Sequence, residues 1–147
     1  MRRYPAVLAL VVWTFFVWTT RINNIWRDAG LDTGERLGRT GLAASFTVLA
    51  AAVLVALWRQ APRGTVVAVS VLAAWTTLVW IVRNARIVAA DHDLGFTLVH
   101  LGLGVVSIAL AVLAWRAVRS TRAGSGSREL AHRQATRARP FSRMISR

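Results

Sequence analysis

The sequence contains no cysteine and no lysine, and only three prolines. Without cysteine there is no disulfide framework, thiol nucleophile or thiolate metal site. Without lysine, all 19 basic residues are arginine, in keeping with the codon bias of a GC-rich bacterium. Phosphate-binding glycine loops, dinucleotide fingerprints, HExxH and GxSxG are missing too. The chain therefore offers no catalytic constellation, and it is read as non-enzymatic with no cofactor. Acidic residues number six, and none falls inside a long apolar run.

What the chain does have is apolar residue in blocks. It is 55% hydrophobic yet carries a net charge of +13 across 147 residues. The arginines sit between and after the blocks, the pattern of a multi-pass membrane protein. A spanning helix needs ~20 mostly apolar residues. Four stretches qualify, at about 5–20, 41–58, 65–82 and 94–115, the first continuing helically to about Trp26. The expected fold is all-α, a four-helix transmembrane bundle over 1–115, followed by a basic tail over 116–147. The first span has the basic start of a signal peptide but no small-x-small cleavage site, so it is read as retained.

The breaks between spans carry start signals. "DTGE" at 32–35 reads as a capping box, an Asp N-cap with Glu three residues on. "RQAPRGT" at 59–65 places Pro62 and Gly64 in a turn, with Thr65 as the expected N-cap. "DHD" at 91–93 puts carboxylates before the fourth span, where a helix N-terminus favours negative charge. Alternate sides of the membrane carry 13 and 6 arginines. The positive-inside rule therefore places both termini in the cytoplasm and the protein in the cytoplasmic membrane.

One nine-residue pattern is written twice: "WTFFVWTTR" (Trp13 to Arg21) and "WTTLVWIVR" (Trp75 to Arg83). Five of nine positions match at an offset of 62, and Ile25 and Ile87 extend the match. The second and fourth spans both end in "WR", at Trp58 and Trp115, an offset of 57. The expectation is a pair of similar helical hairpins, parallel in the membrane, packing through the motif faces. Trp18 and Trp80 are placed near the outer interface, and Trp58 and Trp115 at the inner one. Trp13 and Trp75 lie ~7.5 Å deeper, so each indole N–H needs an acceptor. Ala43, Ala44 and Gly102 are the small residues expected to make room for the deep rings.

Three residues stand out as functional candidates. His100 is the ionisable side chain inside a span, and intramembrane ionisable groups are functional by default. The plain alternative is a neutral imidazole bonded to a neighbouring helix. Arg21 and Arg83 end the repeated motif, where they could bind an anionic lipid head group or a partner's carboxylate. The plain alternative is a snorkelling stop signal. Asp91, His92, Asp93 and His100 invite a metal reading. However, seven residues of helix separate Asp93 from His100 by ~10 Å, too far for one ion, so no metal site is assigned.

The tail holds nine arginines and one glutamate, with "AGSGS" at 123–127 read as a flexible joint. Anionic lipid head groups are its expected partner, and Phe141, Met144 and Ile145 could dip into the interface. It lacks a nucleic-acid-binding fold and interleaved aromatics, so nucleic acid is not an expected partner.

The run from Arg83 to Arg116, "RNARI…DHDLGFTLVH…VSIALAVLAWR", resembles small four-span integral membrane proteins of actinobacteria. The likeness is strongest over the second hairpin. That group carries no assigned activity, so the resemblance implies fold and location and transfers no site residue. The leading functional reading is an accessory or assembly subunit of a membrane complex, with a membrane-protein partner or a second copy of the chain. The alternative is a small transporter or channel subunit. It requires His100 to share one continuous cavity with Thr14, Ser45, Thr47, Thr76, Thr77, Thr97 and Ser107. A third class, a membrane enzyme, would use the acidic residues and His92.

Overall fold

Four sequence signals start four helices in the computed structural model, which describes the backbone of residues 4–90 and 93–142 and the side chains of 4–90 and 93–120. Helix α1 spans Pro5–Arg27, α2 Thr33–Trp58, α3 Pro62–Ala89 and α4 Leu94–Ser142. Pro5 and Pro62 both occupy the first helical turn, where a missing N–H is no loss and the ring already fixes a helical φ. Asp32 caps α2 by accepting a bond from the Glu35 N–H at 2.9 Å. Glu35 turns its own carboxylate to Arg39, 3.6 Å away. Asp93 caps α4, its Oδ2 accepting from the N–H groups of Gly95 at 2.9 Å and Phe96 at 3.3 Å. Caps of this kind contribute about 1 kcal/mol each. Asp91 and His92 lie outside the described residues, as do Met144 and Ile145.

Two start and stop expectations are corrected. Thr65 is not an N-cap: α3 begins at Pro62, and the Thr65 hydroxyl donates back to the Ala61 carbonyl at 3.0 Å. The turn before it is made by Gln60, at φ 50, the left-handed region that usually calls for glycine. Ala61 N–H reaches the Ala56 carbonyl and Gln60 N–H reaches Leu57, closing α2 with a Schellman pattern. Helix α4 also continues beyond 115 through the 123–127 segment, expected as a joint, to Ser142. Charge ends a membrane span without ending backbone helicity.

All four helices, α4 over Leu94–Ser120, are long and apolar enough to cross a membrane. Large apolar side chains face outward along them, including Val12, Phe16, Val48, Leu98 and Val105, each more than 60% exposed. In water that surface would be a liability; in a bilayer it is the lipid contact. Helix α1 packs against α2 and α4, and α3 against α4 and α2. The arrangement is therefore a square with α1 and α3 on one diagonal, every neighbouring pair antiparallel. Its core is Val7, Leu10, Val11, Phe46, Ala50, Val53, Val69, Leu72, Ala111, Ala114 and Val118.

The two hairpins bury the same positions. Residues 4–27 and 66–89, offset by 62, have the same degree of burial at all 24 paired positions. The second helices align at an offset of 61: Asp32 with Asp93 as caps, Gly34 with Gly95, and buried Ala43, Phe46, Ala50 and Val53 with buried Gly104, Ser107, Ala111 and Ala114. The shared "WR" ends, 57 apart, are therefore not equivalent positions. One turn of helix separates that offset from the packed register, so a rare dipeptide misleads where caps and burial do not.

Candidate functional site

The deep tryptophans find their acceptors across the hairpin boundary. Trp13 of α1 donates to the Ser107 hydroxyl of α4 at 2.9 Å. Trp75 of α3 donates to the Ser45 hydroxyl of α2 at 3.0 Å. Ser45 and Ser107 are 62 apart, the spacing of the tryptophans but one residue off the 61-residue register of α2 and α4. That coincidence in the sequence was the available signal for these acceptors. Each serine passes its own proton to a carbonyl of its helix, Leu42 for Ser45 and Leu103 for Ser107, both at 2.7 Å. The result is two short indole–hydroxyl–carbonyl chains, one at each interface between hairpins.

Other hydroxyls are also turned inward to their own helices. Thr14 donates to Leu10, Thr47 to Ala44 and Thr77 to Ala73. Thr76 is buried with its Oγ1 unpartnered. A mid-span cavity of about 490 Å³ opens between α3 and α4, lined mainly by apolar residues such as Ala73, Leu78, Ala111 and Trp115, with Thr77 on its wall. His100 does not line it. The hydroxyls of the transport reading therefore do not converge with His100 on one cavity.

His100, Arg21 and Arg83 do come together. They line a second cavity of about 160 Å³ at the end that carries the α1–α2 and α3–α4 loops. Its other walls are Phe16, Val17, Trp18, Thr20 and Asn24 of α1, Trp80 of α3, and Leu103 of α4. Trp18 and Trp80, expected near the outer interface, lie at this end but are only 4% and 3% exposed. Their rotation accounts for the burial: both fall on the buried stripe that also carries Val11, Thr14, Ala73 and Thr76. Trp18 stacks on Phe46 at 3.9 Å between centroids, with ring planes 12° apart. Where α2 supplies Phe46, α4 has Ser107 in register, so the second hairpin lacks the matching ring. Trp58 is 74% exposed and Trp115 36% exposed, as edge anchors should be, with the Arg119 guanidinium 4.4 Å above the Trp115 ring.

The groups that line this cavity carry positive charge and no carboxylate. Arg83 senses the positive charges of Arg21 and Arg39; Arg21 senses Arg39 and, with opposite sign, Asp28. Arg39 aligns with His100 at the 61-residue offset, as Arg21 does with Arg83 at 62. The Arg83 Nε is buried without a hydrogen-bond partner, while the guanidinium carbon lies 5.9 Å from the Trp80 ring centre. His100 is half-buried, and its Nδ1 lies 2.8 Å from the Phe96 carbonyl of its own helix, not of a neighbour. That bond requires the proton on Nδ1 and leaves Nε2 for whatever fills the cavity. The ring also packs on Phe96, with centroids 3.9 Å apart.

Two neighbours position this end. Arg36 donates to the carbonyls of Asp28 at 3.0 Å and Leu31 at 3.3 Å, tying down the α1–α2 loop. Gly104 of α4, not Gly102, is the close-approach glycine: a Cβ at 104 would overlap the Asn84 amide, while 102 faces open space. Two residues along a helix rotate the position by about 200°, which moves one glycine into the interface and the other out. No family model, curated protein or solved structure matches this chain.

Proposed function

We propose that this chain is a non-enzymatic protein of the cytoplasmic membrane, with both termini cytoplasmic, that serves as an accessory or assembly subunit of a membrane complex. We further propose that its hairpins descend from one duplicated hairpin. The observation that carries the subunit reading is how the interior polar groups are used. The deep indoles fasten helix to helix through Trp13–Ser107 and Trp75–Ser45, while hydroxyls such as those of Thr14, Thr47 and Thr77 are taken up by carbonyls of their own helices. A bundle whose polar groups serve packing is suited to hold its shape beside a partner. The identical burial of 4–27 and 66–89, with equivalent caps at Asp32 and Asp93, supports the duplication.

The test is affinity purification from native membranes combined with crosslinking before solubilisation. A stoichiometric membrane-protein partner or a homo-oligomer is the expected outcome. A strictly monomeric species without crosslinked neighbours contradicts it.

A further inference from the structure

We propose that the cavity formed by Arg21, Arg83 and His100 is a head-group site for an anionic, phosphate-bearing membrane lipid. The inference rests only on the membrane reading, not on the subunit role.

Three features of the site point there. The first is charge: two guanidiniums from diagonal helices converge, with Arg39 nearby in its pair with Glu35, and among the described residues neither Arg21 nor Arg83 forms an ion pair. Asp28 reaches Arg21 only at longer range. Converging guanidiniums recognise phosphate through paired N–H donors, and the Arg83 Nε is a buried donor still without an acceptor. The second is size. At about 160 Å³ the cavity is smaller than the ~300 Å³ lower bound for sites that enclose a whole drug-sized ligand. It suits a head group whose remainder lies outside. The third is the route for that remainder. Phe16, one turn deeper than Thr20 on the cavity wall, is 63% exposed on the lipid face. Acyl chains can therefore leave the cavity along α1 without crossing polar surface. A partner protein's carboxylate would meet the same arginines but would not use that apolar exit.

The full-length protein is incorporated into nanodiscs of equal phosphatidylglycerol and phosphatidylcholine, released, and weighed by native mass spectrometry. Wild type is expected to retain one phosphatidylglycerol per chain in preference to phosphatidylcholine. Arg21→Gln with Arg83→Gln should lower that retention about thirtyfold, from the loss of two basic contacts. Arg59→Gln with Arg63→Gln, at the opposite end, should change it less than about twofold on the same scale. Arg21→Gln alone, with an unchanged unfolding midpoint, should lower it about fivefold and guards against a misfolded double variant. Equal retention of phosphatidylcholine, or full retention in the double variant, overturns the proposal. Displacement of the lipid by equimolar glycerol phosphate would assign the site to a soluble phosphate. Replacement of the lipid by a co-purified acidic protein would assign it to a partner. Either result also overturns the proposal.

Discussion

The hairpins α1–α2 and α3–α4 bury the same positions, yet they fill the space between them differently. In the first, Phe46 of α2 stacks on Trp18 and approaches the Trp75 ring, at 6.1 Å between centroids. In the second, the position in register with Phe46 is Ser107, which offers a hydroxyl to Trp13 in place of a ring. Backbone arrangement thus follows a common pattern while side-chain volume does not. The basic cavity lies on the α1–α4 side, where α4 presents Leu103 and His100. The same pattern of buried positions is thus filled by side chains of different size, Phe46 against Ser107 and Val53 against Ala114.

The comparison breaks most sharply at Phe46. Phe46→Ala should destabilise the bundle by about 3 kcal/mol or more, since a fully buried ring is replaced by a cavity. Ser107→Ala should cost far less, and unfolding in mixed detergent micelles would show the disparity. Glycine provides the next test. Gly104→Ala drives a methyl into Asn84 and should cost about 1–3 kcal/mol, whereas Gly102→Ala should be nearly silent. Equal effects at the two glycines would contradict the α3–α4 packing. The smallest expected effect sharpens the likeness between hairpins. Double-mutant cycles of Trp13→Phe with Ser107→Ala, and of Trp75→Phe with Ser45→Ala, should each yield a coupling near 0.6 kcal/mol, typical of polar bonds between membrane helices. A coupling at one interface only would make the second bond incidental.

Much of the fold was legible because hydropathy and helix caps act locally. Asp32 and Asp93 each cap a helix as their residue type dictates, whereas Pro62 and Gly64, expected in the turn, already belong to the first turn of α3. The recurrence of Trp13 and Arg21 at Trp75 and Arg83 was legible as well, and the packing gives both copies the same burial. Thr65 misled because hydroxyls also favour bonding back to a carbonyl one turn earlier, as it does to Ala61. The register of the second helices was obscured by "WR", which marks where the apolar run ends and not how the helix is rotated. The convergence of Arg21, Arg83 and His100 was not readable. It depends on the rotation of three helices about their axes, set by contacts such as Asn84 on Gly104 that leave no periodic trace.

The equivalence of the two hairpins is open to a direct distance measurement, since a chain without cysteine accepts spin labels cleanly. Paired labels at Val12→Cys and Val112→Cys report on the α1–α4 interface, and labels at Ala74→Cys and Ala51→Cys on the corresponding α3–α2 interface. All four positions are exposed, and they correspond through the offsets of 62 and 61. In lipid, pulsed electron paramagnetic resonance should give two distances that agree within about half a helical turn, ~2.7 Å. Distances differing by more than a full turn, ~5.4 Å, would contradict the account and leave four independently packed spans.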